Sequence, residues 1–114
     1  MFVITQSETY SWPVEVKVPI DNGRFETQKF DAVFKRVSQS RLQEITKQSD
    51  TDSPVSDIDF AREVLRGWKG ITDANGEDVP YSETMRDELL NIPRVAYSIV
   101  IAFNESLSGA KRKN

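Results

Sequence analysis

Residues 65–82, Leu65-Arg-Gly-Trp-Lys-Gly-Ile-Thr-Asp-Ala-Asn-Gly-Glu-Asp-Val-Pro-Tyr-Ser82, allow two interpretations that lead to different proteins. Asp73, Asn75 and Glu77 alternate as the oxygen ligands of a calcium loop would. Such a loop needs glycine at its sixth position and a bidentate glutamate at its twelfth. Counting from Asp73, those positions hold Asp78 and Thr84. The stretch is better explained as the end of a helix, an Asn75-Gly76 turn and a new helix start at Ser82, together seating Trp68. A tryptophan at the end of an apolar stripe closes a core, and Gly67 and Gly70 let backbone and indole approach; stacking on a ligand is the alternative role.

Working back from Trp68, residues Ile58, Ala61, Val64, Leu65 and Trp68 recur at helical spacing behind a Ser56-Asp57 start. This predicts one helix from about Asp57 to Gly70. Forward of Ser82, a third helix places Met85, Leu89 and Leu90 inward, and Ile92-Pro93 breaks it. A fourth helix follows, with Pro93 in its first turn and Val95, Ala96, Ile99, Val100, Ala102, Phe103 and Leu107 covering more than one face. A helix this apolar is either central to the domain or an oligomer contact.

The first third of the chain reads as strand. Val14, Val16 and Val18 alternate with Glu15 and Lys17, Trp12 shares their face, and Asp21-Asn22-Gly23 marks a hairpin turn. On the return strand Phe30, Ala32 and Phe34 share a face. A two-residue turn would mix charge into the apolar face. A three-residue or bulged turn with Gly23 left-handed, setting Val16 opposite Phe30 and Val14 opposite Ala32, avoids that. After Val37, Ser38 or Ser40 caps a short helix over 41–48 with Leu42 and Ile45 inward. The acidic, serine-rich run 49–56 reads as a flexible connector. The expected fold is therefore α+β: an N-terminal β-hairpin followed by about four α-helices. We expect a single domain over 1–114, with a hairpin region at 1–37, a helical region at 38–110 and a basic tail at 111–114.

Composition narrows function. The 114 residues include no cysteine and no histidine, which removes disulfides, thiolate sites, the commonest general base and the commonest metal ligand. Glu63, Asp87 and Glu88 fall on polar helix faces with no acid/base spacing, and there is no phosphate-binding glycine loop or nucleophile elbow. No enzyme activity, metal or cofactor is expected. A formal net charge of −3 argues against a nucleic-acid binder, although Lys111, Arg112 and Lys113 could serve a small regulatory one. The apolar run Phe2 to Ile4 is too short for a signal peptide, and the run 95–103 is too short for a membrane span. A cytoplasmic binding protein without membrane or nucleic-acid partners is expected. Its candidate partner or oligomer contacts are Trp68, Val100, Phe103, Leu107, Lys111, Arg112 and Lys113.

The pattern VLRGWKGITDANGEDVPYS followed by ETMRDELLNIPRVAYSIVIAFNESLSGAKRKN resembles the carboxy-terminal half of tail assembly chaperones of long-tailed bacteriophages and prophages. The shared elements are Gly-Trp-x-Gly-aliphatic at Gly67 to Ile71, the acidic-Gly turn from Asp73 to Gly76, Tyr81-Ser82, the leucine pair ending in Pro93, and the terminus from Ala110 to Asn114. The leading hairpin with Phe34-Lys35-Arg36 is similar too, so the resemblance covers most of the chain. It implies a homo-oligomeric, non-enzymatic protein of the bacterial host cytoplasm. Such a protein would bind the long helical tape measure protein and keep it soluble until tail tube subunits polymerise, with the major tail protein as a further contact. It also implies that a frameshift near Lys113-Asn114 can extend the product. A tail completion or head–tail joining part is the competing expectation.

Overall fold

The computed structural model describes residues 1–49 and 56–109. Within them β1 (Thr9–Ile20) and β2 (Arg24–Lys35) form a long hairpin, α1 is Gln39–Ser49 and α2 is Asp57–Val64. A third strand, β3 (Leu65–Lys69), precedes α3 (Glu83–Leu90) and α4 (Val95–Ser108). The sheet is antiparallel with order β1-β2-β3. Its apolar face carries Val14, Val16, Ala32, Phe34, Leu65 and Trp68, and one core joins these to Ala61 and Val64 of α2, Leu90 of α3 and the inner face of α4. The α+β class expected from sequence is the observed one.

The hairpin turns through Asp21-Asn22-Gly23, with Asn22 at φ 66° and Gly23 at φ 70°. The turn has the expected length and glycine conformation, but the pairing differs from expectation. Val14 faces Phe30 and Val16 faces Gln28. Centring the loop on Asn22 rather than Gly23 moves every pair by two residues while keeping the same faces inward. This register sets Tyr10 opposite Phe34 and Trp12 opposite Ala32, so that each large ring meets either a second ring edge-on or a small neighbour. Tyr10 and Phe34 meet at 6.0 Å between centroids.

The single helix expected from Asp57 to Gly70 is the second difference. Ser56 caps α2 by accepting from the Asp59 amide, but the helix ends at Val64, and Leu65 is already extended at φ −83°, ψ 118°. From there the chain pairs with β2: Asp31 with Lys69, Ala32 with Trp68, Val33 with Gly67, and then Phe34 with Leu65. Arg66 is the extra residue of a β-bulge. The bulge brings Leu65 and Trp68 onto one face although they are three apart, and this spacing imitates a helical stripe. Gly67 lies close over Val33, where an added Cβ would meet the valine side chain at 3.4 Å. Ile58, expected inside, is exposed, and Phe60 instead reaches the core, edge-on to Phe103 at 5.5 Å.

The remaining helix starts follow their caps. Ser38 accepts from the Arg41 amide and Ser82 from the Met85 amide. α4 begins at Val95 rather than at Pro93, because Arg94 adopts a left-handed φ of 75° before it, and Gly109 ends it at φ 74°. The serine-rich connector falls mostly on residues 50–55, outside the described residues.

Gly23→Val should lower stability by about 1–3 kcal/mol in urea unfolding, because a β-branched residue resists the left-handed region. The site is open, with nothing within 4 Å of an added Cβ, so the loss would come from the backbone alone. An unchanged midpoint would argue against this turn.

Candidate interaction surface

Beyond β3 the chain folds back on itself. Val79 donates its amide to the Ile71 carbonyl at 2.9 Å, and Thr72 bridges to Asp78. At the tip, the Asp73 carboxylate accepts the amides of Asn75 at 2.9 Å and Glu77 at 3.1 Å, and Gly76 takes φ 80°. One oxygen of Asp73 is thus engaged in closing the turn. This clasp presents the Val79 carbonyl to the Trp68 indole N–H, which donates to it at 2.7 Å. Tyr81 stands edge-on to Trp68 at 5.0 Å, and its hydroxyl donates to the Leu65 carbonyl at 3.3 Å. These bonds form the tryptophan seat expected from the sequence. Among the described residues no group of three or more acidic, histidine or cysteine side chains is arranged to hold a metal ion.

Ion pairs join the helices. The Arg41 guanidinium grips Glu63 at both oxygens, Nε to Oε2 at 2.8 Å and Nη2 to Oε1 at 2.7 Å, tying α1 to α2. These hydrogen bonds hold the Glu63 carboxyl below its usual range and raise Arg41 further. Arg62 of α2 reaches Asp87 of α3 at 3.1 Å; that bond, followed by one from Arg86, lowers Asp87 as well. Both carboxylates are therefore engaged in ion pairs between helices.

The candidate contact residues separate by depth. Trp68 is buried, and Phe103 is fully enclosed, edge-on to Phe34 at 5.3 Å. Val100 is half-buried and Leu107 is 48% exposed on α4. The inner face of α4 buries Val95, Ala96, Ile99, Ala102 and Phe103, leaving an outer apolar band of Tyr97, Val100, Ile101 and Leu107. Tyr97 is 51% exposed. A shallow depression of about 350 Å³, lined in part by Ile58, Ile92, Pro93 and Tyr97, extends this band over the α3–α4 turn. Tyr97, Ile58 and Ile92 are exposed and Ile101 is half-buried, and the sequence singled out none of them as surface. A helix apolar on nearly all sides was the only signal available, and it cannot say which side remains open. Lys111, Arg112 and Lys113 lie outside the described residues.

Among the described residues no helix is long and apolar enough to cross a membrane. Residues 26–113, from within β2 through α4 and beyond, match the model of the YdaY prophage protein family, and the chain belongs to that family. It is a prophage protein. No curated protein and no solved structure matches it.

Trp68→Ala should destabilise by about 3–5 kcal/mol, and Trp68→Phe by a smaller amount that includes the unpaired Val79 carbonyl. Chemical denaturation of both variants tests this order. A second expectation concerns acid. The Glu63 pKa is depressed on folding, so its contribution is present above the ordinary carboxylate value of about 4.3 and is lost as pH falls through that range toward the folded value. Glu63→Gln should therefore be less stable than wild type at neutral pH, and the two should converge on acidification. Parallel stability curves would exclude Glu63 as a titrating contributor.

Proposed function

We propose that this prophage protein is a non-enzymatic tail assembly chaperone that shields apolar segments of the tape measure protein during virion assembly. The outward apolar band on α4 carries this proposal. Large side chains held open on a helix, and continued by Ile58 and Ile92, form a surface suited to the apolar stripe of a partner helix. Phe103, enclosed on the inner side of α4 between Phe34 and Phe60, supplies the rigid support that such a surface needs. Membership of a prophage family supports a phage role, and the resemblance of residues 64–114 to tail assembly chaperones supplies the particular partner.

Co-expressed with the tape measure protein of its prophage, the wild-type chain should hold that protein in the soluble fraction and co-purify with it. The double variant Tyr97→Asp/Leu107→Asp should weaken the association by about tenfold or more, with an unchanged unfolding midpoint because both side chains are exposed. Retained binding in the variant would move the contact elsewhere. Recovery of the chain in purified particles would instead support a tail completion or head–tail joining part.

A further inference from the structure

A second surface lies along the hairpin and shares Ile92 with the depression beside α4. The half of the hairpin nearest its turn projects past the helices, and all residues from 19 to 29 are exposed. β3 covers β2 only from Asp31 to Phe34, so the edge from Phe25 to Lys29 has no neighbouring strand.

The prolines define which groups this edge offers. Pro13 and Pro19 lack an N–H and share odd parity in β1. A strand accepts proline where the N–H would point away from its ladder. The odd residues of β1 therefore face outward, and so do their partners Lys29, Thr27 and Phe25 in β2. The outer edge of β1 is interrupted twice by proline, whereas the β2 edge presents an unbroken row of donors and acceptors. Among the described residues no backbone hydrogen bond outside the hairpin ladder engages Phe25, Thr27 or Lys29. Beside this edge lies a groove of about 230 Å³ lined by Val16, Val18, Phe30, Leu89, Ile92 and Val95, among others. A void of roughly 150 Å³ holds a benzene ring, so this groove takes a phenyl ring with room to spare.

The chain also carries a segment suited to that edge. Phe2 is 85% exposed and Ile4 91%, with exposed Val3 between them. In extended form, Phe2 and Ile4 fall on one face and Val3 on the other. Its own groove is out of reach. Glu8 is tied beside the end of β2, accepting the Arg36 amide at 3.0 Å. From Ile4 to Glu8 the chain spans at most about 14 Å at ~3.4 Å per residue. The groove starts at Val16, roughly 26 Å from Glu8 along β1 at ~3.3 Å per residue.

We propose that the occupant is a second copy of this chain: the Phe2–Ile4 arm of one copy adds as a strand to the Phe25–Lys29 edge of another and seats Phe2 and Ile4 in the groove. Each copy offers both an arm and an edge, so the exchange closes reciprocally into a dimer or head-to-tail into a ring.

Sedimentation of the full chain should show concentration-dependent association to at least twice the 13.0 kDa monomer mass. Phe2→Ser/Ile4→Ser should remain monomeric with an unchanged melting curve, because these side chains are exposed. Thr27→Pro, which removes an outward N–H, and Val18→Arg, which fills the groove, should each remain monomeric too. Mixing the arm variant with the Val18→Arg variant should form a heterodimer, since one supplies the edge and the other the arm. Association of the arm variant at wild-type strength, or no recovery on mixing, would overturn the exchange. A wild-type chain that stays monomeric yet captures a foreign extended peptide at this edge would also overturn it.

Discussion

Ala32 sets the geometry on which the rest of this small domain depends. It has no exposed surface and sits in the middle strand with Trp12 opposite on β1 and Trp68 opposite on β3. Paired residues point to the same face, so two indoles flank one methyl group. A larger residue there would force the rings or the strands apart, and interiors packed at crystal density accommodate little of that. Once Trp68 is held in this row, its indole N–H needs a partner, and the carbonyl of Val79 provides it. That bond fixes the clasp from Ile71 to Val79, and the clasp leads into Pro80, Tyr81 and the Ser82 cap of α3. The register of one hairpin thus propagates into the placement of the helices.

The same core leaves α4 only partly used. Its inner face meets Phe34 and Phe60 through Phe103, and Tyr10 reaches it through the Ser106 hydroxyl at 2.7 Å. The opposite side keeps large apolar groups in water, which is unfavourable for an isolated chain and natural for one that binds. The polar pairs contribute differently. Arg41–Glu63 ties α1 to α2, and Arg62–Asp87 ties α2 to α3.

Much of this was decided by the sequence alone. The Val14-Val16 alternation, the Asn22-Gly23 turn and the serine caps at Ser56 and Ser82 act through local backbone preferences, and each appears where its chemistry placed it. The failed calcium spacing after Asp73 is equally local. Three features required the assembled fold. The hairpin register shifted by two because the choice between Asn22 and Gly23 as loop centre rests on how Phe30, Ala32 and Phe34 meet their partners across the sheet. Leu65–Lys69 became a strand because the free edge of β2 supplied a ladder, and the Arg66 bulge gave that strand a spacing that along the chain reads as helix. The open side of α4 was undetermined because Tyr97, Val100, Ile101 and Leu107 are as apolar as the residues facing the core. Local preference is written in neighbouring residues, whereas pairing partners and exposed faces depend on what arrives from elsewhere in the chain.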